Sequence, residues 1–358
     1  MEVVGFVAPG YEPVKALFRQ HFIDGLEDRA QLCVYVRGEK VIDIWGSAAG
    51  KPYGPGFLQN VFSTTKVLTS LVVAMLVDRG QLSYDTPIDK IWPEYGQHKK
   101  QGTTVAQLMR HEAGLPKFDQ PIAAEALKTE NIRKGSISDL IASQSLSHFP
   151  LKRREYHAQT RGWIANEIVR RVDVPRHRTI GQFLREEVSE KLDIAEELFI
   201  GTPAAFHGKI APIDTKLQNA LWWSWYQLLA PNILGGGKLP LLYDRYRMTL
   251  LAGIPLFQLG LMPTVRRVMR LTLSSKRSDA SSGKGAPPPA KKHFEILFSG
   301  NSSATKSEGF SFDSVAHMFN SPEVRLAEAP SSNGHASARA LAKVAASIVE
   351  RGQLKNHP

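Results

Sequence analysis

Strand-type sequence is concentrated at the front of this chain, and helix-patterned sequence follows it. Gln31 to Gly46 holds two runs rich in β-branched and aromatic residues around the turn residues Arg37-Gly38-Glu39-Lys40, which predicts a β-hairpin. Helical spacing precedes the hairpin from Tyr11 to Leu26 (Val14, Leu17, Phe18, Phe22). Further helices are predicted over Thr103–Arg110, Ile137–Gln144, Arg161–Val172 and Thr179–Leu192. A last one begins near Ser337 within Asn333–Gly352, patterned by Ala340, Leu341, Val344, Ala345 and Ile348. Strands early and helices later argue an α+β fold rather than alternating α/β. At 358 residues and 42% hydrophobic content the chain can bury a sizeable core, in one large or two ordinary domains.

The chemistry begins after the hairpin. Phe62-Ser63-Thr64-Thr65-Lys66 opens the apolar run Val67 to Val77, a helix stopped by Asp78-Arg79-Gly80 with Gly80 at the C′ position. Ser63 and Lys66, three residues apart, share a face of its first turn. A half-buried lysine loses its proton more easily than a free one, and such an amine can activate a serine as a nucleophile. Ser-x-x-Lys also occurs at Ser281/Lys284 and Ser303/Lys306, but there in Ser/Gly/Pro-rich sequence without an apolar helix behind it. The residues alone fit equally a capping serine with a solvated lysine. A second proton-handling group is offered by Tyr156, which stands before the Arg161–Val172 helix. A packed tyrosine with a bonded hydroxyl is the plainer reading of that residue by itself.

Charge and cysteine content narrow the alternatives. The net charge is +11, yet Thr215 to His293 carries twelve Lys/Arg against Asp244 and Asp279, so the remainder is close to neutral. This localised basic segment does not describe a nucleic-acid-binding domain. Its stretch 217–270 is apolar and aromatic with Arg266, Arg267 and Arg270 following. It reads as a helical cover over the active site, or as a weak contact with a membrane surface. No segment reaches the length of a membrane span. A single cysteine, Cys33, excludes an internal disulfide framework and a multi-cysteine zinc site, and fits a reducing compartment. Neither a metal nor a cofactor is expected. The N-terminus lacks a basic segment followed by an apolar core, so the chain reads as intracellular and cytoplasmic.

Several segments together resemble the serine β-lactamase-like family, which includes class C β-lactamases, penicillin-binding proteins and family VIII esterases. Phe62-Ser63-Thr64-Thr65-Lys66-Val67-Leu68-Thr69 resembles its nucleophile helix, and Asp78-Arg79-Gly80-Gln81-Leu82-Ser83-Tyr84-Asp85-Thr86-Pro87-Ile88 its helix exit. Thr103 to Leu115 is similar to the segment T-V-x-x-L-L-x-H-x-S-G-L. Tyr156-His157-Ala158-Gln159-Thr160-Arg161-Gly162-Trp163 resembles the tyrosine motif of the esterase-like branch, and Asn333 to Ala342 the A-R-x-L-A helix. The matches occur in family order from about residue 12 to residue 352.

The resemblance implies an antiparallel sheet with helices on its faces and a helical domain beside it. It implies one domain over 1–352, with 215–293 as an insert. By the same carry-over Ser63 is the acyl-forming nucleophile, Lys66 its proton acceptor and Tyr156 the second base, with the Ser63 N–H as half of the oxyanion hole. His111 and Glu112 belong to a structural turn, and His157 to packing or hydrogen bonding. Two departures shape the expected activity. Ala158 stands where β-lactamases carry the asparagine of Tyr-x-Asn, which favours a small ester, amide or lactone over a β-lactam. No Lys-Thr-Gly or comparable strand follows residue 352, so the C-terminal strands of the sheet are expected to be missing and the hairpin to be left with an open edge. The alternative is therefore a catalytically impaired form or pseudoenzyme that binds or scaffolds.

Overall fold

The computed structural model describes residues 2–48, 50–119, 122–147, 154–213 and 312–350. The basic segment 215–293, with its stretch 217–270, and the Ser281/Lys284 and Ser303/Lys306 pairs lie outside them. The chain divides into two compact units, one of Met1–Ile213, Ala290–Asn301 and His317–Pro358, the other of Asp214–Pro289 and Ser302–Ala316. The first unit carries everything described below. Among the described residues no helix is long and apolar enough to cross a membrane.

The predicted hairpin is strands β2 (Arg29–Val36) and β3 (Glu39–Ser47), paired antiparallel. Its turn is tighter than expected. Arg37 and Gly38 both have positive φ (51° and 74°), the two-residue turn whose twist suits adjoining strands, so Glu39 and Lys40 already belong to β3. A register shift at Val34/Tyr35 marks a bulge. A strand absent from the sequence reading, β1 (Glu2–Val7), pairs along the other side of β3 and gives the order β1-β3-β2. The hairpin is thus open on one side only, at β2.

Side chains alternate across β3. Ile42 and Ile44 form a core cluster with Val14 and Phe18 of helix α1 (Glu12–Ile23), while Asp43 accepts from Arg339 of the last helix (Ala338–Val349) at 2.8 Å. A second small sheet joins β4 (Gln59–Asn60), β5 (Leu198–Ile200) and β6 (Gly334–Ala336) in the order β4-β6-β5. Strands therefore also occur late in the chain. These are two or three residues long, too short for a period-two pattern to announce them.

Helix α2 (Thr65–Asp78) buries Leu68, Val72, Val73 and Leu76. It ends as its sequence predicts. Gly80 (φ +69°) donates to Val77 O and Gln81 N to Leu76 O, the paired bonds of a Schellman stop that only a residue at ease with positive φ makes without strain. The helix Thr160–Val172 lies against α2 and buries Trp163, whose indole N–H donates to Glu328 O at 3.0 Å. The single helix expected over Thr179–Leu192 is instead a short helix, Ile180–Leu184, that widens into a π turn over Arg185–Ser189. Thr179 and Gln182 form its capping box. The widened turn brings Glu186 and Glu187 together on the guanidinium of buried Arg178, which also holds Asp173.

Candidate active site

Ser63 stands in a short turn, Phe62–Thr64, that leads directly into α2. Its side chain is exposed, whereas Thr65 and Lys66 behind it are buried. The turn is held from both sides. Phe62 adopts a positive φ of 43°, uncommon for a bulky residue, and its N–H donates to Asn60 Oδ1 at 2.7 Å. The Thr65 hydroxyl donates to Phe62 O and accepts from Gly334 N at 2.9 Å, and Val61 N donates to Gly334 O. The start of β6 thus fixes the angle at which Ser63 is presented.

The structure brings Ser63, Lys66 and Tyr156 together. The Tyr156 hydroxyl donates to Ser63 Oγ at 2.7 Å, and Lys66 Nζ lies 3.3 Å from the same oxygen. Nζ also donates to Ala158 O at 2.8 Å and to Ser331 O at 2.9 Å, and sits 4.8 Å from the centre of the Tyr156 ring. Two backbone carbonyls therefore occupy two of its directions and leave the third toward the serine. Burial lowers the Lys66 pKa against the opposing effect of Tyr156. Burial raises that of Tyr156, but the bonds from Lys66 and Ser63 and the charges of Lys66 and Arg161 outweigh it, so the phenol ionises more readily than usual.

His111, Glu112 and His157 build the seat of the tyrosine loop. His157 N donates to His111 Nδ1 at 3.0 Å, and Glu155 N to His111 O. His157 is fully buried, with Nε2 accepting from Leu115 N and Nδ1 against Glu155 O. Burial, followed by the charge of Arg161, pushes His111 down to about 4, so it is neutral and free to accept at neutral pH. Its ring stacks 4.9 Å from that of Tyr156. Glu112 is tied to Arg110 and Arg154. Ala158 takes part through its carbonyl, a role independent of its side chain.

The segment Ala329–His335 was invisible to sequence reasoning. Its Pro330 carbonyl accepts from Thr69, its Ser331 carbonyl from Lys66, and the Ser331 hydroxyl accepts from Gly162 N while donating to Gln159 O. The only hint is the polar, turn-forming run Ser331-Ser332-Asn333-Gly334. Gly162 tests its importance. A Cβ there would meet Ser331 Oγ at 2.5 Å and Pro330 C at 2.7 Å, so Gly162→Ala must displace the backbone that holds Lys66. We expect this variant to lose about 1–3 kcal/mol of stability, read by urea unfolding. It should also react more slowly at Ser63, and full reactivity with wild-type stability would disprove the clamp. Among the described residues no group of His, Cys, Asp and Glu could hold a metal ion.

Residues 18–357 match the model of the Beta-lactamase family. The chain belongs to that family. A curated relative, the esterase/beta-lactamase LipL of Mycobacterium tuberculosis, is 30% identical over 211 residues, 57% of this chain and 46% of LipL. The chain thus spans about half the length of that relative. Among solved structures, a penicillin-binding protein homolog from Caulobacter crescentus is 26% identical with a TM-score of 0.64, covering 99% of this chain and 73% of that one. A family VIII carboxylesterase matches with a TM-score of 0.66 at 24% identity, over 99% of this chain and 73% of that one, and bears on the fold alone. The expected α+β fold of the family is the one observed.

Proposed function

We propose that the chain is a serine hydrolase that forms an acyl-enzyme at Ser63 on a small ester, amide or lactone, and acts more as an esterase than as a β-lactamase. The observation that carries this reading is Ser63 Oγ held between the Tyr156 hydroxyl (2.7 Å) and Lys66 Nζ (3.3 Å). With two N–H bonds committed to Ala158 O and Ser331 O, a neutral Lys66 amine turns its lone pair toward the serine. Lys66, aided by Tyr156, takes the Ser63 proton as Oγ attacks the carbonyl carbon. The proton then passes to the leaving group as the carbon–leaving-group bond breaks. Water completes the cycle by hydrolysing the ester on Ser63. The Ser63 N–H serves as one oxyanion donor. The name of LipL and the absence of an amide side chain at Ala158 support the ester preference.

A fluorophosphonate probe should label the full chain, and Ser63→Ala should abolish labelling. Labelling that persists in this variant would falsify the assignment. Short-chain aryl esters should be turned over faster than a chromogenic cephalosporin, and the reverse order would overturn the esterase reading.

A further inference from the structure

Arg161 lies in the first turn of the helix Thr160–Val172 and is 6% exposed. Its Nη2 donates to Ser70 Oγ at 2.8 Å, and Ser70 Oγ donates to the Lys66 carbonyl at 2.7 Å. A second contact runs to Met109 Sδ at 3.7 Å. Its buried Nε has no partner, and among the described residues no carboxylate pairs with its guanidinium. Buried charges are ordinarily paired. Arg178, equally buried in this protein, is paired with three carboxylates. Arg161 is the opposite case, a cation without compensation behind the candidate nucleophile.

The ionisable groups of the surrounding elements are Lys66 of α2, Tyr156 and His157 of the tyrosine loop, His111, Arg154, and Glu112 with its partner Arg110. Glu112, the carboxylate in this set with a defined pairing, is held by Arg110 at 3.0 Å and Arg154 at 3.2 Å.

We propose that Arg161 is a positioning residue of the Ser63 site, a fixed positive charge that keeps the Lys66–Tyr156 pair one proton short of full protonation near neutral pH. A cation nearby disfavours an ammonium at Lys66 and favours a phenolate at Tyr156, so both effects act in one direction. Its charge adds to the burial that lowers Lys66 and to the bonds that lower Tyr156. Its bond to Ser70 ties this charge to the backbone turn that carries Lys66. The consequence for hydrolysis rests on the function proposed above, whereas the effect on Tyr156 stands independently of it.

The test uses the full chain with Arg161→Met, Arg161→Gln and Arg161→Lys, each alone and combined with Tyr156→Phe. Ultraviolet titration of phenolate absorbance, with the matching Tyr156→Phe protein subtracted, isolates the ionisation of Tyr156. In Arg161→Met that ionisation should move to higher pH, while Arg161→Lys, which keeps the charge, should stay near wild type. Arg161→Gln is the second neutral variant should the methionine protein fail to fold. Fluorophosphonate labelling at pH 7 should slow by about tenfold in the neutral variants and recover as pH rises. A neutral variant with native circular dichroism and an unmoved Tyr156 ionisation overturns the proposal. Equal loss of labelling in all three variants without a pH shift would show a packing role alone. Because the titration needs no reaction at Ser63, an unlabelled wild-type protein would count against the proposed function and leave this inference to the titration.

Discussion

Replacing Lys66 with methionine is expected to slow fluorophosphonate labelling of Ser63 by roughly 1,000-fold at neutral pH, within the range of general-base catalysis. Methionine keeps most of the apolar stem that α2 buries and removes the amine alone. The pH dependence should change as well. In the wild type, labelling should rise as pH passes through the lowered Lys66 pKa, because the free amine is the active form. The methionine variant should lose that limb. The carbonyls of Ala158 and Ser331 would each lose their donor from Nζ, at a cost of about 1–3 kcal/mol each if left unsatisfied. Stability should therefore be measured beside reactivity, and a rate corrected for the folded fraction. An unchanged rate, or an unchanged acid limb, would remove Lys66 from the mechanism.

Arg178→Met is expected to cause the largest loss of stability, about 3–5 kcal/mol by urea unfolding. The guanidinium donates to both oxygens of Asp173 at 2.7 and 2.8 Å, and to Glu186 and Glu187 at 2.8 and 3.0 Å. The Arg178 and Asp173 side chains are each 6% exposed. Truncating the arginine strands a buried carboxylate, which costs more than the pair itself contributes. Adding Asp173→Asn to the methionine variant should recover a substantial part of the loss, and no recovery would refute the stranded-charge account.

The same cluster sets an acid limit. Arg178 holds Asp173 below its ordinary 3.8, and Lys191, with Arg178 and Arg79, holds Glu187 down to about 2 against an ordinary 4.5. Both folded values lie below the unfolded ones. Their contribution is therefore full above about pH 4.5 and is lost as pH falls toward 2. Wild-type stability should decline steeply across that window, and the decline should be shallower in Arg178→Met. Parallel acid profiles for the two proteins would contradict this linkage.

Legibility in the sequence followed the kind of signal each element carries. The hairpin, α1, α2 with its Gly80 stop, and the capped helix at Thr104 could be read because they depend on side-chain periodicity and on local caps. The register of the hairpin turn was misjudged by two residues, since Arg37 adopts a positive φ that its side chain does not advertise. β1 was missed as a strand. The short strands β4, β5 and β6 are defined by their partners, and isolated pairs or triplets of residues have no pattern of their own. The continuous helix expected over Thr179–Leu192 breaks where Glu186 and Glu187 turn toward Arg178, a contact that local propensity does not register.

By itself the sequence determined the family and nominated Ser63, Lys66 and Tyr156, because ordered motifs and distinctive side chains survive in a linear string. Only the tertiary structure decided how they are held. The lysine is anchored by the carbonyls of Ala158 and Ser331, 92 and 265 residues away along the chain. Every residue has a carbonyl, so no letter in the sequence marks one as a ligand for an amine. Arg161 is a similar case. Its type is plain in the sequence, but its lack of a carboxylate partner is a property of the packed interior, where the cost of an uncompensated charge is decided.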